Sequence, residues 1–132
     1  MGMKETAPSL PGPPGARLVS AGIDWDAVKV VRFFGLQAIE RLQRPGAVAV
    51  DPAPAEPALY FFVPVGTAAW SLPQVSTLGA ATHIILPPAR CQAPPGPYWL
   101  VPPADGCLPL TDATALYQAL AAVLGPRMER VS

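Results

Sequence analysis

Ala58-Leu59-Tyr60-Phe61-Phe62-Val63-Pro64, then Leu72-Pro73-Gln74-Val75, then His83-Ile84-Ile85-Leu86-Pro87-Pro88: these pieces of the stretch 58–90 decide how the chain is read. Two apolar, β-branched or aromatic runs are separated by turn residues, the pattern of consecutive strands in a sheet. They are the most hydrophobic runs in the chain, so the core is predicted to form on them. Strands are expected at 59–63 and 82–86, with an irregular excursion over 64–73 that contains Trp70. Downstream, 89–97 reads as a loop. Tyr98-Trp99-Leu100-Val101 reads as a short strand ended by Pro102-Pro103 and followed by a turn at Asp105-Gly106.

The residues 111–124 are predicted helical. Leu116, Leu120 and Val123 recur on one face, flanked by Tyr117 and Leu124. Thr111 or Asp112 can cap the helix by accepting a backbone N–H, and Gly125-Pro126 stops it. Upstream, the valines of 27–31 favour a strand with Val28 and Val30 on one face. A helix is expected over 33–43, with Phe33, Leu36, Ile39 and Leu42 turned inward and Gly35 allowing close packing on the sheet. Pro45-Gly46 ends it, and 47–50 is a short strand. Pro52, Pro54 and Pro57 forbid a ladder over 51–57, so 47–50 and 59–63 form an antiparallel hairpin with a stiff connection. The order implies an α+β fold, a mainly antiparallel sheet with two helices packed on one face. Residues 1–15 read as a flexible Pro/Gly-rich tail, 16–126 as a single α+β domain and 127–132 as a C-terminal tail.

Composition narrows the function. Of 132 residues, 51% are hydrophobic and 14% charged, too apolar for a disordered chain. No run reaches the roughly 18 apolar residues of a membrane span, and prolines interrupt any signal pattern at the N-terminus. A soluble cytoplasmic protein is expected, with no membrane association. Nine basic and nine acidic residues cancel, and the basic ones are scattered. This argues against autonomous nucleic-acid binding, which needs a cationic surface. Low charge with abundant apolar surface fits a protein partner or a homodimer.

Few residues carry chemistry. Asp24 and Asp26 have the spacing that on a strand puts both carboxylates on one face, where they can hold a divalent metal. They precede the valine strand, where acidic residues also serve as turn or cap groups. His83 is the only histidine. It can act as a base near neutral pH but has no nucleophile in a defined context, and a packed histidine is the simpler account. Cys91 and Cys107 lack ligand spacing and read as reduced thiols, though the sequence leaves their pairing open. Trp70, Trp99, Tyr60, Phe61 and Phe62 lack the interleaved basic residues of a base-stacking surface and read as core or interface. No phosphate-binding glycine loop is present. Neither a catalytic residue nor a cofactor is expected.

Taken as an ordered set, Leu59-Tyr60-Phe61, Leu72-Pro73-Gln74-Val75, Gly79, Ile84-Ile85-Leu86-Pro87-Pro88 and Tyr98-Trp99 resemble the N-terminal primase-polymerase domain of bifunctional DNA primase/polymerases, within the archaeo-eukaryotic primase superfamily. The resemblance covers about 48–101. In that family a Ser/Gly-rich loop leads to a histidine and a Leu-Tyr-Phe-like strand, followed by a Leu-Pro-Gly-Val-like segment. The family's nucleotide-contacting histidine falls at Ala58, its phosphate loop at Pro54-Ala55-Glu56-Pro57, and its metal-binding acids correspond to Asp24 and Asp26. Glu56 would repel a triphosphate. The resemblance therefore implies a degenerate, non-catalytic member acting as a protein-interaction, accessory or regulatory module. The alternative is a residual nucleotide- or nucleic-acid-binding protein with weak metal dependence, using a groove near Asp24, Asp26 and the 51–58 loop.

Overall fold

A computed structural model describes residues 17–67, 72, 74–79, 82–88, 91–94, 96–103 and 107–124. The expectations for the tails 1–15 and 127–132, Trp70, the Asp105-Gly106 turn and the Gly125-Pro126 stop lie outside them. The described chain runs β1 (Arg17–Ser20), β2 (Asp26–Val31), α1 (Arg32–Glu40), β3 (Val48–Asp51), β4 (Ala58–Val63), β5 (Val75–Leu78), β6 (His83–Leu86), β7 (Tyr98–Val101) and α2 (Ala113–Leu124). Five strands form one antiparallel sheet in the order β5-β2-β4-β3-β7, and β1 pairs with β6 in a separate antiparallel ribbon.

β4 lies at the centre because every second residue on each of its faces is apolar. Phe61 stands opposite Val28 and Val48, and Leu59 opposite Val30 and Val50. All six are buried, and against them pack Leu116 and Leu120 of α2 and Ala38 of α1. Each large side chain fully buried here contributes about 1.5–3 kcal/mol. Gly35 sets how close α1 comes. A Cβ there would lie 2.6 Å from Leu59 Cδ1 and 3.1 Å from Val30 Cγ1, so any side chain would have to displace Leu59 or lift the helix from the sheet.

The other face of β4 carries Phe62 into a second cluster with Trp25, Ala27, Ala47, Ala49, Trp99 and Leu108. Trp25 meets Phe62 edge-on at 4.9 Å between centroids, and Trp99 donates its indole N–H to the Pro88 carbonyl at 3.0 Å. Ile84 and Leu86 of the ribbon cover this cluster. The two helices do share one face, as expected from the sequence, and the ribbon forms a third layer on the opposite face.

Two expectations are corrected, and one strand of the five-stranded sheet was not foreseen. β4 and β6 do not belong to one sheet. β6 buries only Ile84 and Leu86, leaving His83 and Ile85 exposed, so it suits a one-sided ribbon rather than a two-sided sheet interior. Residues 75–78, to which the sequence reading assigned no element, form an edge strand, β5. α1 is shorter than 33–43, and it turns Phe33 (66% exposed) and Leu36 (40% exposed) to solvent. Steps of three lag the helical turn by about 60° each, so Phe33, Leu36, Ile39 and Leu42 spread around the helix. The close approach at Gly35 selects Gly35 and Ala38 as the buried side.

The chain entering α2 is stitched to the sheet. Gly46 N–H donates to the Thr111 hydroxyl at 2.9 Å, Thr111 N–H to the Phe62 carbonyl at 2.7 Å, and Ala47 N–H to the Pro109 carbonyl at 2.9 Å. A Cβ on Gly46 would collide with the Pro109 carbonyl oxygen and the Leu110 backbone. Of the two residues expected to cap α2, Asp112 does so, accepting from Ala115 N–H at 2.9 Å. Thr111 is instead buried in the Gly46 clamp.

Candidate functional site

Asp26 opens β2, and its carboxylate accepts the Gly66 N–H at 2.8 Å, fastening the turn after β4. Asp24 lies exposed in the turn before the strand, so the two carboxylates do not share a strand face. No group of three or more His, Cys, Asp or Glu side chains able to hold a metal occurs among the described residues. Asp26 pairs with Val63, whereas Ala58 pairs with Val31 at the far end of β2. The expected groove joining Asp24 and Asp26 to the 51–58 loop is therefore pulled apart by the length of a strand, roughly 17 Å at the usual rise.

His83 is exposed at the start of β6, paired across the ribbon with Ser20. Cys91 and Cys107 are free thiols, and Cys91 contacts the carbonyl oxygens of Ala93 and Pro97 through its sulfur. Phe61, Phe62 and Trp99 are core residues, with no face left for a base.

The register grades the non-helical face of the sheet from apolar to polar. At one end Leu78, Ala27 and Phe62 form a row beneath the ribbon. One row on, Ser76, Lys29, Tyr60 and Ala49 stand side by side. Beyond them lies an open depression of about 560 Å³ lined by Lys29, Val31, Glu56, Ala58, Gln74 and Ser76, among others. The Lys29 ammonium lies 6.0 Å from the centroid of the Tyr60 ring, at the limit of cation–π attraction. Burial raises the Tyr60 phenol above its ordinary value of 10.0, and the Asp51 carboxylate adds to the shift. The phenol thus stays protonated across the physiological range and can donate a hydrogen bond. Sequence reading missed Lys29 and Asp51 as its neighbours because cross-strand partners are set by register.

The outer face of α1 is the second surface. Phe33 and Leu36 project from it, and Phe33 leans edge-on against Phe34 at 5.2 Å. Arg32, Gln37 and Glu40 border them. Sequence reading placed this pair in the core. The available signal was Gly35 with Ala38, a competing stripe of small residues that permits closer packing.

A depression of about 460 Å³ between the end of α1 and α2 brings Arg41 and Arg44 near Asp112, which already caps α2. No helix among the described residues is long and apolar enough to cross a membrane. No family model, curated protein or solved structure matches the chain.

Proposed function

We propose that this chain is a non-catalytic, primase-polymerase-like domain that works as a protein-interaction, accessory or regulatory module through the outer face of α1. The observation that carries the reading is the exposure of Phe33 and Leu36 side by side on one helix, in a chain with few charges to keep such a surface apart from others. Adjacent exposed apolar side chains bordered by polar ones mark contact sites. Two further features fit this reading, the first its lack of chemistry and the second its primase-polymerase likeness. Ala58, at the position of the family's histidine, is a buried strand residue with no group to titrate. Gln74 has φ 64°, the left-handed region that favours glycine, at the position where the family's Leu-Pro-Gly-Val-like segment carries glycine.

A photo-crosslinking side chain placed at Leu36 tests the contact. In cells it is expected to form a protein adduct, whereas the same group at exposed Thr77 on the sheet edge forms none. Equal, background labelling at both positions would remove the reading.

A nucleotide-binding alternative rests on the depression beside Pro54, Ala55 and Glu56, where Lys29 offers one cation. Nucleoside triphosphate with manganese at a hundred times its dissociation constant would stabilise the fold by about 2.7 kcal/mol, and Lys29→Gln would weaken the shift. A flat thermal titration eliminates this alternative.

A further inference from the structure

The two charges within α1 run against its dipole, while Arg41 at its C-cap runs with it. Arg32 occupies the first position and Glu40 the last, with no acidic residue in the first turn and no basic residue in the last. A helix carries partial positive charge at its N-terminus and partial negative charge at its C-terminus, so each charge sits at the end that repels it. The N-cap Val31 offers no side-chain bond to offset this. Neither Arg32 nor Glu40 forms an ion pair with another described residue. Both are exposed, and each is four residues from Leu36, so the three lie along one ridge.

From this arrangement we infer that the outer face of α1 docks against α1 of a second copy of this chain, antiparallel, with the two-fold axis at Leu36. The inference rests on the proposed function and names its partner. In this pairing Leu36 meets its own copy, and Phe33 from each chain packs beside that contact. Arg32 reaches Glu40 of the second copy, and Glu40 reaches the second copy's Arg32, giving two equivalent ion pairs. Each misplaced charge also lands at the end of the opposite helix that attracts it. An arbitrary protein partner does not explain why the charges are symmetric about Leu36; a second copy does. The contact surface is one helix of nine residues, well short of the roughly 20–30 residues a side of a stable interface, so the dimer is weak and reversible.

Sedimentation across a concentration series, combined with cysteine scanning, tests the pairing. Leu36→Arg brings two like charges together on the axis and is expected to leave monomer at every concentration. Arg32→Glu alone and Glu40→Arg alone each weaken dimerisation, by about tenfold since both symmetric pairs are hit. The double reversal re-forms both ion pairs and recovers part of the loss, since the attraction to the opposite helix ends stays reversed. Under oxidised glutathione Leu36→Cys forms a covalent dimer beyond the level of the parent chain with its native Cys91 and Cys107. Phe33→Cys does not, because its two copies stand about 9 Å apart along the axis, too far for a disulfide. Circular dichroism verifies that these surface variants fold. A parent chain that stays monomeric throughout, or a dimer indifferent to Leu36→Arg and to the charge reversals, overturns the inference. If the Leu36 photo-crosslinker then still captures another protein, the interaction reading stands and only the self-partner falls.

Discussion

β4 and β6 look alike as sequence and behave differently as structure. Leu59-Tyr60-Phe61-Phe62-Val63 and His83-Ile84-Ile85-Leu86 are both short apolar runs. β4 is hydrogen-bonded on both edges and buried on both faces, contributing Leu59, Phe61 and Val63 to the helix side and Phe62 to the ribbon side. β6 has one partner strand and one buried face, and Ile85 is 51% exposed. Run hydrophobicity marks a strand without giving its rank in the fold. Rank depends on whether neighbouring segments can cover both faces, and of these two strands β4 alone has apolar partners above, below and on either side.

The comparison predicts unequal costs. Phe61→Ala should be the most damaging change, losing about 3–5 kcal/mol by chemical denaturation because the cavity is closed on every side. Ile84→Ala should cost less, about 2 kcal/mol, since the ribbon can shift toward the gap. Its clearer sign is faster amide exchange in β1 and β6 while β4 stays protected, the mark of local opening. If Ile84→Ala matches Phe61→Ala in cost and loosens both sheets together, the distinction between the strands is lost.

Tyr60 sharpens the contrast within β4 itself, between its covered and open ends. Its pKa is higher folded than unfolded, so the folded state holds the proton more tightly. Its contribution is complete below pH 10.0 and is lost as pH rises through the folded value. Denaturation midpoints of the parent should therefore fall more steeply above pH 10.0 than those of Tyr60→Phe, and the two should have the same pH slope from 6 to 8. The smallest effect belongs to Ile85→Thr on the exposed face of β6, within about 0.5 kcal/mol of the parent. A larger loss there would mean that something covers the ribbon.

Much of the fold was legible where local signals agreed. The proline-stiffened hairpin of β3 and β4, the length and face of α2, and the shared face of the helices all follow from periodicity and breakers. β1 and β5 were missed because Arg17 and Ser20 in Arg17-Leu18-Val19-Ser20, and Ser76 and Thr77 in Val75-Ser76-Thr77-Leu78, break the apolar run that marked β3, β6 and β7 at the same four-residue length. Both acquire their strand geometry from a partner, β6 or β2. The ribbon layer had a legible trace in the apolar residues on both faces of β4, since a strand with polar neighbours on one side alternates. The candidate site was less legible still. Phe33 and Leu36 read as core because the three-residue spacing outweighed the polar side marked by Arg32, Gln37 and Glu40, and the close approach of Gly35 to Leu59 is what fixes the inward direction. The polar row of Lys29 and Tyr60 exists only through register.

The clamp between Gly46 and Thr111 spans 65 positions of sequence, and α2 follows every described strand. On the ribosome, the hairpin of β3 and β4 can therefore form early while its valine and phenylalanine surface has no cover. Leu116 and Leu120 arrive only when the last described helix has left the exit tunnel. Closing so long a loop is slow relative to hairpin formation. The interval just before α2 docks is then the stage of synthesis at which this chain is most prone to aggregate.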